Sequence, residues 1–195
     1  MIHPDTELTY INPVIGYGLV ATRKILKGTI TWVRDSLDMV FEPDAYEKIH
    51  GQRKEYLYKY CFVDGQGRRI LCWDHGRFVN HCCAANCIAP GYDCEIAVCD
   101  IQPGEQITCD YGLLNMDEDF PCSCGATNCR EVVRPSDPEI HHQKWDAQIR
   151  EVFTQVDKLP QPLWEFVSEK AEIKQAINNP ALIPSSLKHY YQHPR

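Results

Sequence analysis

The sequence predicts a mostly β protein with some α, closed by a helical C-terminal extension. Three observations carry this. Up to about residue 110 the chain is a succession of short β-prone runs separated by turn residues. A tight cysteine group follows, in the string "CSCGATNC" at residues 122–129. Beyond Pro135 the apolar residues recur at helical rather than alternating spacing.

The elements follow in order. Leu19–Thr22 and Thr29–Val33 are β-prone and separated by a turn at Lys27-Gly28. Pro43–Lys54 reads as a helix, since Glu, Ala and Lys favour that state. Tyr56–Val63 is rich in aromatics and reads as a strand. The turn "DGQG" (Asp64–Gly67) then joins it to a second strand at Arg69–Trp73, making a hairpin. Glu95–Val98 and Gln106–Asp110 flank the turn "QPGE". Asp137-Pro138-Glu139 predicts a helix start, with Asp137 as N-cap. Trp145, Ile149, Val152, Phe153 and Val156 form its apolar stripe, and Pro160 and Pro162 end it. A second helix is expected over Leu163–Ile177, and a short helical turn over Ser185–Tyr191.

Composition narrows the class of function. With 195 residues the chain can bury a sizeable core. No apolar run approaches the roughly 18 residues of a membrane span, so no membrane association is expected. The N-terminus lacks a basic-then-apolar export signal, so Sec secretion is not expected. A reducing compartment follows, in which eleven cysteines are thiols and metal ligands rather than disulfides. The net charge of −7 argues against direct nucleic-acid binding and suits a basic protein or peptide partner. Oligomeric state is left unassigned.

Cys122, Cys124 and Cys129 have C-x-C-x4-C spacing, with Gly125 and Asn128 allowing tight turns. Three thiolates so placed suit one side of a tetrahedral structural zinc site, which needs a fourth ligand from a distance. Cys82 and Cys83, in "RFVNHCCAANC", are the candidates. Cys61, Cys72, Cys94, Cys99 and Cys109 read as small hydrophobes among strand residues.

Four motifs then fall into one order: "GYG" at Gly16–Gly18, "RFVNHCCAAN" at Arg77–Asn86, "GEQITCDYG" at Gly104–Gly112, and "CSCGATNC". Together they resemble the SET-domain protein-lysine methyltransferases with a post-SET zinc segment, over roughly residues 10–134. The resemblance implies the SET fold, small curved β-sheets around a pseudoknot. It divides the chain into a SET domain at 1–115, a post-SET zinc segment at 116–134 and a helical extension at 135–195. It implies S-adenosylmethionine as cofactor, one structural zinc ion, and a lysine of a basic protein, such as a histone, as substrate. By motif register Cys83 becomes the fourth zinc ligand beside Cys122, Cys124 and Cys129, and Cys82 a non-ligand in the place of the family's serine.

The resemblance also implies roles. Tyr111 matches the catalytic tyrosine. Tyr60, with Tyr58 as competitor, matches a tyrosine lining the lysine channel, while Trp73 reads as core, with a channel wall as the alternative. Asn80 and His81 match the cofactor-binding pair, with Arg77 reaching the cofactor carboxylate. Gly16, Tyr17 and Gly18 match the cofactor turn, joined by Ile15. Glu105 and Asp110 read as structural. Ala85 replaces the family's proline. Cys109 stands where a tyrosine would restrict the product, so di- or trimethylation is expected. No cysteine-rich cluster precedes residue 16. A bare domain of this kind suits a bacterial or viral source, hence a cytoplasmic, nuclear or host-delivered protein. The competing reading is an inactive module that binds a basic peptide; intact Tyr111, Asn80 and His81 argue against it.

Overall fold

In the computed structural model, which describes residues 1–192, the chain opens with an antiparallel hairpin of β1 (Thr6–Asn12) and β2 (Gly16–Ala21). The Asn12 side chain shapes its tip by accepting from the Val14 and Ile15 N–H groups, both at 2.9 Å. Gly16 follows at φ +80°, a conformation that favours glycine. Next come β3 (Ile30–Val33) and β4 (Met39–Phe41). Two helices follow, α1 (Pro43–Glu47) and α2 (Gln52–Tyr60).

The aromatic run therefore does not behave as the sequence predicts. The expected single helix over Pro43–Lys54 breaks at Gly51, at φ +63°, and resumes through Tyr56–Tyr60. Tertiary packing overrides strand propensity here. Helical spacing packs Tyr56 against Tyr60, rings tilted and centroids 4.7 Å apart, and buries Leu57 against Tyr46 and Leu71. Only Phe62–Val63 remains extended, as β5, and it pairs with β6 (Arg69–Leu71) across the expected turn.

The remaining strands are short: β7 (Asn80–His81), β8 (Cys87–Ile88), β9 (Cys94–Ala97), β10 (Thr108–Cys109), β11 (Phe120–Pro121) and β12 (Val132–Val133). They sort into small sheets, β3-β9-β8 and β4-β6-β5, with the pairs β1-β2, β7-β10 and β11-β12. β7 and β10 run parallel.

The chain ends in α3 (Asp137–Phe153) and α4 (Lys170–Asn178), with short 3-10 turns between and after them. Ser136 rather than Asp137 occupies the N-cap position of α3, because the Asp137 carboxylate is engaged by the Arg134 N–H at 3.1 Å and by Arg130. The helix expected over Leu163–Ile177 is interrupted: a 3-10 turn covers Trp164–Phe166 and α4 begins only at Lys170. The apolar stripe of α3 does not form a core of its own. Trp145, Ile149, Val152 and Phe153 pack with Ile30, Val33, Cys94 and Ile96 of the sheet, and Ile173 and Ile183 join the same cluster. A second cluster, Leu19, Ile25, Cys87, Ala97, Ile101 and Ile107, lies under the hairpin. No helix among the described residues is long and apolar enough to cross a membrane.

Candidate functional site

The parallel pairing of β7 with β10 sets Asn80 opposite Thr108 and His81 opposite Cys109, so two distant motifs share one ladder. The Asn80 amide donates to the Tyr17 carbonyl and the Gln106 side chain, both at 3.2 Å. This draws the Gly16–Gly18 turn onto the ladder. The approach is tight: a Cβ on Gly18 would lie 2.5 Å from Asn80 Nδ2. Asn86 closes the junction by accepting from the Thr108 N–H at 2.8 Å and donating to the Gln106 carbonyl at 2.7 Å. Beside the turn, Ile15 and Tyr17 stand 44% and 53% exposed. Such apolar surface next to a polar junction suits a ligand.

His81 Nδ1 accepts from the Tyr111 N–H at 3.1 Å, which leaves the ring proton on Nε2, 3.3 Å from the Cys83 sulfur. Burial pushes its pKa down, so the ring is neutral. His81 thus stands between Tyr111 and the cysteines. The Tyr111 hydroxyl donates to the Val79 carbonyl at 3.0 Å, and burial pushes its pKa up. Its ring packs on His81 and Phe120 at 5.3 and 5.5 Å.

Tyr111 also lines a cavity of about 360 Å³, with Trp32, Tyr60, Phe62, Cys109 and Phe120 among its walls. Tyr58 and Tyr60 both reach it, but differently. The Tyr58 hydroxyl is held by Glu118, and burial with that bond pushes its pKa up to about 12. Tyr60 instead packs on Phe78 at 5.3 Å, and Phe78 on Tyr17 at 6.4 Å, so one ring links the cavity to the glycine turn. The C-terminal extension contributes Ser186 and His189 to the cavity wall.

Trp73 and Cys99 sit elsewhere than the sequence predicts. The Arg77 guanidinium is held by main-chain carbonyls. Its Nη1 donates to the carbonyls of Cys72, Trp73 and Asp74 at 3.0–3.1 Å, which braces that loop beside the cavity. Trp73 is not core but 44% exposed, and Cys99 is exposed too. Glu105 accepts from the Gln102 N–H at 2.7 Å and shapes a turn. Asp110 is structural: it accepts from the Gly112 N–H and pairs with Arg130. Sequence reasoning missed Arg130, which also holds Asp137 at 3.0 Å and so ties β10 to α3. Its place directly after Cys129 is the only hint the sequence offers.

The cysteines converge. The Cys83 sulfur lies 3.8 Å from that of Cys122, which lies 3.7 Å from that of Cys129. Zinc–sulfur bonds of about 2.3 Å in a tetrahedron set sulfurs about 3.8 Å apart, so these thiols fit such an ion. The Cys83 N–H points at the Cys124 sulfur, 3.5 Å away. Donor atoms of His81, Cys83, Cys122 and Cys124 all lie within 4.8 Å of one another, a group able to hold a metal ion. The Cys124 thiol is drawn down to about 6: burial opposes this, but the Cys83 and Ala126 N–H groups and neighbouring thiols outweigh it. That group includes His81 and lacks both Cys82 and Cys129, although the Cys129 sulfur meets that of Cys122; Cys82 accepts from the Ala84 N–H at 3.4 Å, also meets the Cys124 thiol, and has its pKa pushed up by burial.

Residues 16–112 match the family model described as the SET domain. Over 64 residues the chain is 40% identical to the histone-lysine N-methyltransferase trithorax of Drosophila melanogaster, covering 29% of this chain and 2% of that protein. Over 137 residues it is 28% identical to the histone-lysine N-methyltransferase ASHH2 of Arabidopsis thaliana, covering 60% of this chain and 7% of that protein. The chain therefore spans a small part of the length of these curated relatives. Among solved structures it resembles Arabidopsis thaliana SUVH6 in complex with SAM, with a TM-score of 0.53, 21% identity, and coverage of 68% of this chain and 33% of that one. That likeness shows a shared fold.

Proposed function

Residues 16–112 are a SET domain, and from that premise we propose that the protein transfers a methyl group from S-adenosylmethionine to the ε-amine of a lysine in a basic protein such as a histone. One observation carries the reading: the Tyr111 hydroxyl and the Val79 carbonyl meet, at 3.0 Å, in the wall of an aromatic cavity, and the next residue, Asn80, holds the Tyr17 carbonyl of the glycine turn. The cofactor supplies an already activated methyl on its sulfonium sulfur, so the protein needs mainly to align the reacting groups and exclude water.

Asn80, Ile15, Gly16, Tyr17 and Gly18 would hold the cofactor, on the open face where the turn meets β7. Tyr60, Phe62 and Trp32 would guide the lysine stem, since aromatic faces tolerate an approaching cation. Tyr111 would orient the amine. Cys83, Cys122, Cys124 and Cys129 would hold one zinc ion, consistent with sulfur separations of 3.7–3.8 Å. That ion would fasten the segment after His81 to residues 122–129 and play no part in the transfer. Cys109 is small, buried and part of the cavity wall, which leaves room for a methylated amine and favours di- or trimethylated products.

Incubation with isotopically labelled S-adenosylmethionine and a panel of histones and basic proteins, read by mass spectrometry, tests this. Transfer to lysine is expected, with Tyr111→Phe retaining cofactor binding and losing about 10²-fold or more in turnover. No heat of cofactor binding in calorimetry, or near wild-type turnover by Tyr111→Phe, would contradict the reading.

A further inference from the structure

Along β9, Cys94 and Ile96 face the core, each 1% exposed. Alternation turns Glu95 to the opposite face. Trp32 is its register partner on β3, and both side chains line the cavity that holds Tyr111 and Cys109. Among the described residues no hydrogen bond or ion pair reaches the Glu95 carboxylate, and burial alone pushes its pKa up to about 7. The Trp32 indole N–H is buried without a partner, while Glu95 itself is half-buried, its carboxylate open to the cavity. An unpaired carboxylate in an aromatic cavity costs stability and gains nothing from its neighbours. The groups that feel its charge are Tyr111, Cys109, Cys72, Cys87 and Cys94. Burial raises the pKa of every one of them, so all stay neutral, and Glu95 is the carboxylate that shares the cavity wall with Tyr111 and Cys109.

Resting on the methyltransferase reading, we propose that Glu95 is the base of the lysine channel, receiving the substrate ε-ammonium and taking one of its protons. The N–H bond breaks with its electron pair left on nitrogen, and an O–H bond forms on Glu95. An ion pair becomes a neutral pair, the favoured form where water is excluded. The neutral amine, oriented at Tyr111, then forms its N–C bond while the methyl–sulfur bond breaks and its electrons stay on sulfur. Glu95 later releases the proton to solvent. A base works best when its pKa lies near the working pH.

The test is the pH dependence of methylation of a lysine-rich histone peptide by the full chain. Glu95→Gln is isosteric and removes an uncompensated charge, so folding is retained. Its turnover is expected to fall about 10²-fold near neutral pH, with cofactor affinity unchanged. The deficit is expected to shrink as pH rises towards the lysine pKa of about 10.4, because solution then supplies the neutral amine. Glu95→Asp keeps an acid and is expected to outpace Glu95→Gln near neutrality. Turnover of Glu95→Gln within about twofold of wild type, a loss that does not narrow with pH, or equal rates for the Gln and Asp variants each overturn the assignment of Glu95 alone. A wild-type protein that methylates no lysine in the panel overturns the methyltransferase reading, and this proposal with it.

Discussion

The neighbouring sulfurs of Cys82 and Cys83 face different surroundings. Cys83 is 5% exposed and its sulfur meets the Cys122 sulfur, the His81 ring and the Arg130 N–H. Cys82 accepts from the Ala84 N–H of its own turn, also meets the Cys124 thiol, and lies half-buried. In the proposed zinc site, replacing one of the four thiolates by a hydroxyl removes a strong ligand, and structural zinc contributes about 10–16 kcal/mol to small peptides. Cys83→Ser is therefore expected to lose one equivalent of zinc by elemental analysis and to weaken cofactor binding, while Cys82→Ser keeps both. Zinc loss by Cys82→Ser with retention by Cys83→Ser would move the ligand by one residue. Motif register alone singled out Cys83. The braces Arg77 and Arg130 were not legible, because their partners are main-chain carbonyls and carboxylates brought in by the fold. Glu95 was equally silent: an acid in an alternating strand reads as a solvent-facing position until a cavity is found over it.

At the scale of elements, the site depends on a glycine whose value is space rather than backbone freedom. Gly18 lies opposite Thr9 in the hairpin, and a Cβ there would press on Asn80 Nδ2 at 2.5 Å and on Gln106 Oε1 at 2.8 Å. Gly18→Ala is expected to push the Asn80 amide off the Tyr17 carbonyl. Overpacking of this sort costs about 1–3 kcal/mol, and a loss of about tenfold in cofactor affinity, equivalent to about 1.4 kcal/mol, should appear in calorimetry. An unchanged affinity would separate the turn from the cofactor site. Here the sequence was informative about position and blind about packing. The turns at Lys27-Gly28, Asp64–Gly67 and Gln102–Glu105 are chemical and local, so they were readable. Tyr56–Tyr60 was misread because aromatics serve strands and helix faces alike, and only the burial of Leu57 decides between them.

Over the whole molecule, the C-terminal extension belongs to the same body as the sheet that carries the site. The periodicity of α3 showed an apolar stripe but could not name its partner, which is the β3-β9-β8 sheet. Through that contact the extension brings Ser186 and His189 to the cavity wall. The fastening is a buried carboxylate: Asp146 of α3 accepts from the Ser186 N–H at 2.7 Å and from the Ser186 hydroxyl at 2.8 Å. Burial alone would raise the Asp146 pKa, but the N–H of Ser186 and the hydroxyls of Ser185 and Ser186 outweigh it and hold it below the usual value. Hydrogen bonds to a charged group contribute about 1.5–3 kcal/mol, so Asp146→Ala is expected to destabilise the fold by about 2–3 kcal/mol in urea unfolding. The sign of the pH effect follows from the lowered pKa. The contribution is present in full above the unfolded aspartate value of about 3.9 and fades as pH falls through the lower folded value. The gap between wild type and Asp146→Ala should therefore be wide at neutral pH and close in acid. With the strap loosened, the half-saturating concentration of a lysine peptide should rise while cofactor affinity holds, since Ser186 and His189 line the cavity and the proposed cofactor residues Asn80 and Gly16–Gly18 do not. A fall in both affinities together would mean that the extension supports the domain as a whole and has no separate part in shaping the lysine channel.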